Sequence, residues 1–295
     1  MLKKIDYYLN RITMYRLVLY FLIGLLAVAF VLSAFKLLPF TPIALAYTTL
    51  LVTLLCWIVN EISAWFFDIP ANVESVYITA LILALIITPI KTLNIQSVGF
   101  LVWVSIWAMA SKYILAINRK HIFNPAALAV AITAFTINQS ANWWVGTASM
   151  LPFVLVGGLL VVRKIRRFSL VLSFVGAALV AFLGFSFLRG SSVNIFGLAY
   201  KIIANSALLF FAAIMLTEPL TLPPTRKLQI LYGIIVGFLF APQTHIASFY
   251  FTPELALLAG NVFSYIVSPK HKLLLELKEK IKLAPGLYHF IFAAD

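Results

Sequence analysis

FNPAALAVA, Phe123 to Ala131, decides how this chain is read, because a relative of it returns as FTPELALLA, Phe251 to Ala259. Phe, Pro and the final Ala stay in register, 128 positions apart. A second pair follows the same order: ALIITPIKTL, Ala84 to Leu93, and AIMLTEPLTL, Ala213 to Leu222. The second copy carries one extra residue, Glu218, so the leading threonines Thr88 and Thr217 stand 129 apart. One match between apolar segments carries little weight. Two in the same order at the same spacing point to an internal duplication.

The 295 residues are 63% hydrophobic and 11% charged, whereas soluble domains carry roughly a quarter charged residues. Apolar runs long enough to cross a hydrocarbon core of about 30 Å recur along most of the length, which defines a polytopic, all-α membrane protein. Lys3, Lys4, Arg11 and Arg16 precede a run too long for a signal peptide, and no small-residue cleavage site follows. The single cysteine, Cys56, excludes an intramolecular disulfide and thiolate metal clusters. The net charge of +13 reads as membrane topology, not as a nucleic-acid surface, because the basic residues sit at span ends.

Ten spans are expected, at about 15–35, 40–59, 76–92, 98–118, 125–138, 151–163, 169–188, 195–217, 227–242 and 252–268. The fifth and sixth are short for a full crossing. One set of connections carries the N-terminal cations, Lys112, Arg119, Lys120, Arg163, Lys164, Arg166, Arg167, Arg226, Lys227, Lys270 and Lys272. The other carries Lys36, Lys91 and Arg189, with Lys201 inside the eighth span. That asymmetry puts both termini in the cytoplasm of a multi-pass protein of the cytoplasmic (inner) membrane. A shift of about 129 residues maps the first five spans onto the last five, so each repeat holds an odd number of helices and the second copy must be inverted. The expected domain is residues 1–272, with repeats 1–138 and 139–272. Inverted repeats place a site near the midplane, where interrupted helices free backbone groups for a ligand. Pro89, Pro125, Pro219 and Pro253 sit at equivalent points of both halves and either mark such interruptions or simply end spans. Residues 273–295 read as a linker and an amphipathic β segment, with Ile281, Leu283, a Pro-Gly turn, Tyr288, Phe290 and Phe292.

No dinucleotide, phosphate-loop, zinc-protease or nucleophile-elbow motif is present. His121, His245, His271 and His289 are scattered, and none lies at metal-ligand spacing from a carboxylate; no metal site and no catalytic residue is assigned. Three polar islands remain: Lys112-Tyr113 with NRKHIFNPAA (118–127), TEPLTLPPT (217–225) and NWWVGTAS (142–149). Asn124 and Glu218 stand out, since polar groups at apolar depth need partners. Asn124 also reads as a helix cap before Pro125, which leaves room for a ligand contact. Trp143 and Trp144 read first as interface anchors.

The segments KHIFNPAALAVAI, WWVGTASMLPFVLVGGLLVVRKIRRF and MLTEPLTLPPTRKLQILYGIIVG together resemble one family. It comprises the flavin-carrying membrane subunits B of the sodium-pumping NADH:quinone reductase and D of the Rnf complex. The tail KIKLAPGLYHFIF is similar to the opening strand of a ferredoxin-reductase-type FAD-binding barrel, a domain fused to some family members. The resemblance implies electron transfer through riboflavin or FMN in a ten-helix bundle. The electrons would come from an NAD(P)H-oxidising reductase carrying FAD, in cis or in trans, and go to quinone or an outer acceptor. The cofactor-binding residues it implies are Lys112, His121, Phe123, Asn124, Pro125, Ala126, Thr217, Glu218, Pro219 and Thr221 on the cytoplasmic side, and Trp144, Gly146 and Thr147 on the outer side. Lys112, Arg119 and Lys120 would suit an anionic reduced flavin or a phosphate, and positive-inside anchoring explains them equally well. The family attaches FMN to the threonine of S-G-A-T, but this chain reads Val145-Gly146-Thr147-Ala148-Ser149. An overlay on Gly146 puts Ala148 at the acceptor position, so flavin is expected to be held non-covalently. The alternative is a five-plus-five channel or transporter for a small polar solute or flavin; a third reading, a plain membrane anchor for a reductase, has no use for paired helix breaks.

Overall fold

Among the described residues, six helices begin on a threonine or asparagine whose side-chain oxygen accepts from an amide of the first turn, the local signal that starts a helix. These caps are Thr13, Thr41, Asn94, Asn124, Thr225 and Thr252. The computed structural model describes residues 2–69, 73–91, 94–117, 120–188, 195–204, 207–246, 249–269, 275–284 and 287–294. Asn118, Arg119, Arg189, Lys270, His271, Lys272 and the Pro285-Gly286 turn lie outside them.

The helices are α1 (Leu2–Asn10), α2 (Met14–Ala34), α3 (Pro42–Phe67), α4 (Val73–Ile86), α5 (Ile95–Ile114), α6 (Pro125–Ile137), α7 (Leu151–Ile165), α8 (Phe168–Leu188), α9 (Ile195–Ala204), α10 (Leu208–Phe210, continued as a π-turn over Phe211–Met215), α11 (Arg226–Phe240) and α12 (Pro253–Val267). The chain is predominantly helical. Among the described residues α2, α3, α5 and α8 are long and apolar enough to cross a membrane, and the α9–α10 pair makes a fifth if it is one bent span. The other expected spans are helices too, but α4 and α6 have only 14 and 13 residues, and α7, α11 and α12 only 15 each. At 1.5 Å per residue they reach about two-thirds of a hydrocarbon core.

Two of these pieces form the centre. From Thr79 to Ile86 every residue of α4 is buried, as is every residue from Phe210 to Thr217. A helix apolar on all sides belongs inside a bundle, and the others surround these two. α2, α3 and α6 pack on α4, and α7 and α8 on the α10 region. α3 packs on α5 as α8 packs on α11, and α5 on α6 as α11 on α12. The α8–α11 contact is the closest, because Gly233 and Gly237 are one helical turn apart on the contacting face. A Cβ at Gly237 would stand 2.4 Å from the Phe174 carbonyl oxygen, and one at Gly233 2.8 Å from that of Leu170. Small residues at this spacing let helix backbones touch.

Two short ribbons repeat across the halves. β1 (Ala116–Ile117) pairs with β2 (Lys120–His121), and β3 (His245–Ile246) with β4 (Phe249–Tyr250). Ala116 faces His121 as His245 faces Tyr250, 129 positions on. The ribbons close with the same bond, Ile122 amide to Leu115 carbonyl and Phe251 amide to Thr244 carbonyl, both 3.1 Å. Each leads into a capped helix with proline at its first position, α6 or α12.

Sequence reading missed α1, a nine-residue amphipathic helix ahead of the first span. The tail is an antiparallel hairpin, β5 (Leu275–Ala284) with β6 (Leu287–Ala294). Lys201, expected inside a span, lies exposed in the last turn of α9.

Candidate functional site

Glu218 occupies the break after the π-turn and is the hub of a polar cluster built from both halves. Its Oε1 lies 2.9 Å from His121 Nε2, and its Oε2 accepts from Asn124 Nδ2 at 2.8 Å. The other end of the Asn124 amide accepts from the Ala127 amide at 3.0 Å. Asn124 is thus both a cap and a carboxylate ligand, and the N-terminal end of α6, where the helix dipole is positive, faces the Glu218 charge. The Asn124 backbone amide donates to Asn261 Oδ1 at 2.9 Å, and Asn261 Nδ2 donates to the Tyr232 hydroxyl at 3.2 Å. His121, set apart from any carboxylate by sequence spacing, finds one 97 residues away. An ionised carboxylate only accepts, so the imidazole donates from Nε2 and, when neutral, leaves Nδ1 as an acceptor.

Two cavities flank this cluster. The inner one is lined by Tyr15, Ser75, Asn124, Pro125, Ala126, Thr217 and Glu218 among others, and holds about 50 Å³, room for a water or two. Lys112 stands behind it, its Nζ donating to the Ser75 carbonyl at 2.9 Å and the Ser75 hydroxyl at 3.0 Å. The outer one holds about 830 Å³, within the range of about 300–1,000 Å³ typical of ligand sites. Lys120, His121 and Arg167 line it, with Thr221 and the Leu220–Pro224 segment. Arg167 Nη1 donates to Gln229 Oε1 at 2.5 Å, and Gln229 Nε2 donates to the Pro223 carbonyl at 2.8 Å, which pins the proline wall. Pro219 lines both cavities.

The sequence-derived residues therefore divide. Asn124, Pro125, Ala126, Thr217 and Glu218 face the narrow cavity, too small for a tricyclic ring; His121 and Thr221 face the wide one, which has the volume for it. Phe123 is half-buried beside them and lines neither. Thr217 donates to the Ala213 carbonyl at 2.7 Å and so ties off the π-turn. Arg167, Gln229, Tyr232 and Asn261 join the site without having been singled out. Asn261 and Gln229 carried a signal in the sequence: each is a buried amide inside an apolar helix.

Trp144, Gly146 and Thr147 share neither cavity. Trp144 is 3% exposed, not an interface anchor. Its indole Nε1 donates to the carbonyls of Ala84 and Ile87 at 3.1 and 3.0 Å, while the amides of Asn142 and Trp143 both reach the Ile86 carbonyl at 2.9 Å. The NWW island thus satisfies the carbonyls that the end of α4 leaves open. Trp143 Nε1 donates to buried Glu254 at 2.6 Å. The Thr147 hydroxyl is buried without a hydrogen-bond partner among the described residues, against a cavity of about 10 Å³. A phosphodiester there would require α10 to move.

No protein-family model matches the chain, and no curated protein matches it.

Proposed function

We propose that this chain is the membrane part of a flavin-dependent electron-transfer system. It would receive electrons from a cytoplasmic NAD(P)H-oxidising, FAD-carrying reductase in cis or in trans and pass them to quinone or an outer acceptor in a cytoplasmic (inner) membrane. The carrying observation is the wide cavity between the halves, walled by Lys120, Arg167 and His121, with His121 backed by Glu218. The bundle is read as ten crossings in two inverted five-helix repeats with both termini inside. The matched ribbons, the capped proline starts of α6 and α12 and the two buried helices that stop short support that plan.

Bound in the wide cavity, a flavin would supply electron-transfer chemistry, while the protein supplies position and charge. Lys120 and Arg167 attract a phosphate or the negative charge of a reduced ring. His121, oriented by Glu218, offers Nδ1 for a hydrogen bond. Asn124 acts one step back, by holding Glu218 in place. The hairpin β5–β6 is the point of attachment for the reductase, since an isolated two-stranded hairpin is marginal in water.

The test is a visible spectrum of the detergent-purified chain, followed by acid precipitation. A yellow protein that releases its colour into the supernatant is expected, and His121→Leu should lower flavin content about tenfold, equivalent to about 1.4 kcal/mol of binding. A folded but colourless protein would sink this reading in favour of a channel for a small polar solute. Colour retained in the pellet would mean covalent attachment.

A further inference from the structure

The end of α7 carries a third cavity, of about 310 Å³, that the flavin reading does not use. Asp6, Leu9 and Asn10 of α1 form one wall, and Arg163, Lys164, Arg166 and Phe168 the other. Three cations thus face one carboxylate, and two of the three are partly engaged. Arg163 clasps Asp6 with two bonds, of 2.7 and 2.8 Å, and holds its carboxyl below the ordinary range, so the clasp is intact at neutral pH. Lys164 gives one of its three donors to the Leu9 carbonyl at 2.6 Å.

Arg166 differs from both. It is exposed, makes no side-chain hydrogen bond among the described residues, and acts on Asp6 through its charge alone. Its backbone is left-handed, with φ at 55°, a conformation that is unfavourable for a side-chain-bearing residue and that glycine adopts freely. Below the cations the surface turns apolar. Leu155 and Leu159 are exposed and precede Arg163 at four-residue spacing on the same face of α7, with Val156 beside them and Phe168 exposed at the rim. A cationic recess therefore stands directly above an apolar track on a helix of a membrane bundle.

We propose that this recess binds the anionic headgroup of a membrane phospholipid. Arg166 and the free donors of Lys164 take the phosphate, and the acyl chains lie along Leu155 and Leu159. Basic pockets at the ends of membrane helices suit such headgroups. Free phosphate shares the headgroup chemistry but has no use for the apolar track.

The full chain, stripped of lipid in neutral detergent, is titrated with phosphatidylglycerol, with phosphatidylcholine and with inorganic phosphate, and the thermal midpoint is followed. Phosphatidylglycerol should act at a concentration about tenfold lower than phosphatidylcholine, and phosphate should have no effect. The Arg166→Gly/Lys164→Gln variant, whose glycine suits the left-handed backbone, should lose the preference while its lipid-free midpoint stays within a few degrees of the parent's. Equal action of the two lipids, or a preference that survives in a variant with that midpoint, overturns the proposal. So does a response to inorganic phosphate that matches the lipid, which would make the recess a simple anion site. If the variant is destabilised, Arg166→Gly alone is titrated, and an unchanged preference there is equally decisive against it.

Discussion

Asn124 uses the two ends of one amide for two tasks, and removing it separates them. Asn124→Ala loses a helix cap worth about 1 kcal/mol and a charged hydrogen bond to Glu218 worth about 1.5–3 kcal/mol. The thermal midpoint in detergent should drop clearly. Asn124→Asp keeps the cap but sets carboxylate against carboxylate, so it should be no more stable than the alanine variant and should be rescued by Glu218→Gln. Failure of that rescue in a double-mutant cycle would show that the pair is not coupled. Asn124 and Glu218 were legible in the sequence because a polar residue in an apolar stretch demands a partner. The partners themselves were not, since they lie 94 and 137 residues away along the chain. Trp144 misled for the opposite reason: tryptophan near a span end commonly anchors at an interface, and nothing in the local sequence records that α4 stops short and leaves its carbonyls open.

At the scale of elements, hydropathy located the helices well because burial in lipid or in a bundle demands apolar runs of either kind. It could not tell which runs cross. α4 and α8 look alike in composition, yet one is sheathed by protein and the other presents Leu172 and Val180 outward. The two ribbons were invisible because strands of two residues carry no period. α1 was missed because nine amphipathic residues do not register as a span. The α8–α11 contact gives a direct test of packing. Gly237→Ala forces a methyl against the Phe174 carbonyl and should destabilise by about 1–3 kcal/mol, seen as a lower thermal midpoint. Gly176→Ala, where nothing lies within 4 Å, should be neutral or slightly stabilising. Equal effects at the two glycines would mean that the helices are not in backbone contact.

For the whole molecule, the tail and the bundle are separable. β5 and β6 pack chiefly on each other, with Tyr288, Phe290 and Phe292 on neighbouring positions of one face and Lys280 over the Tyr288 ring. Deleting residues 275–295 should leave the bundle's thermal midpoint within about 2 °C. A large drop would show that the hairpin is part of the bundle's own structure. The bundle's two interrupted segments are not equals. Where the first copy runs Thr88 straight into Pro89, the neighbouring opening is stopped with the indole of Trp144. The later segment carries one more residue at that point, Glu218, which is acidic, paired with His121 and Asn124, and bordered by open space. That single acidic position gives the two ends of the bundle different chemistry. Deleting Glu218 should leave Asn124 Nδ2 and His121 Nε2 without their shared carboxylate.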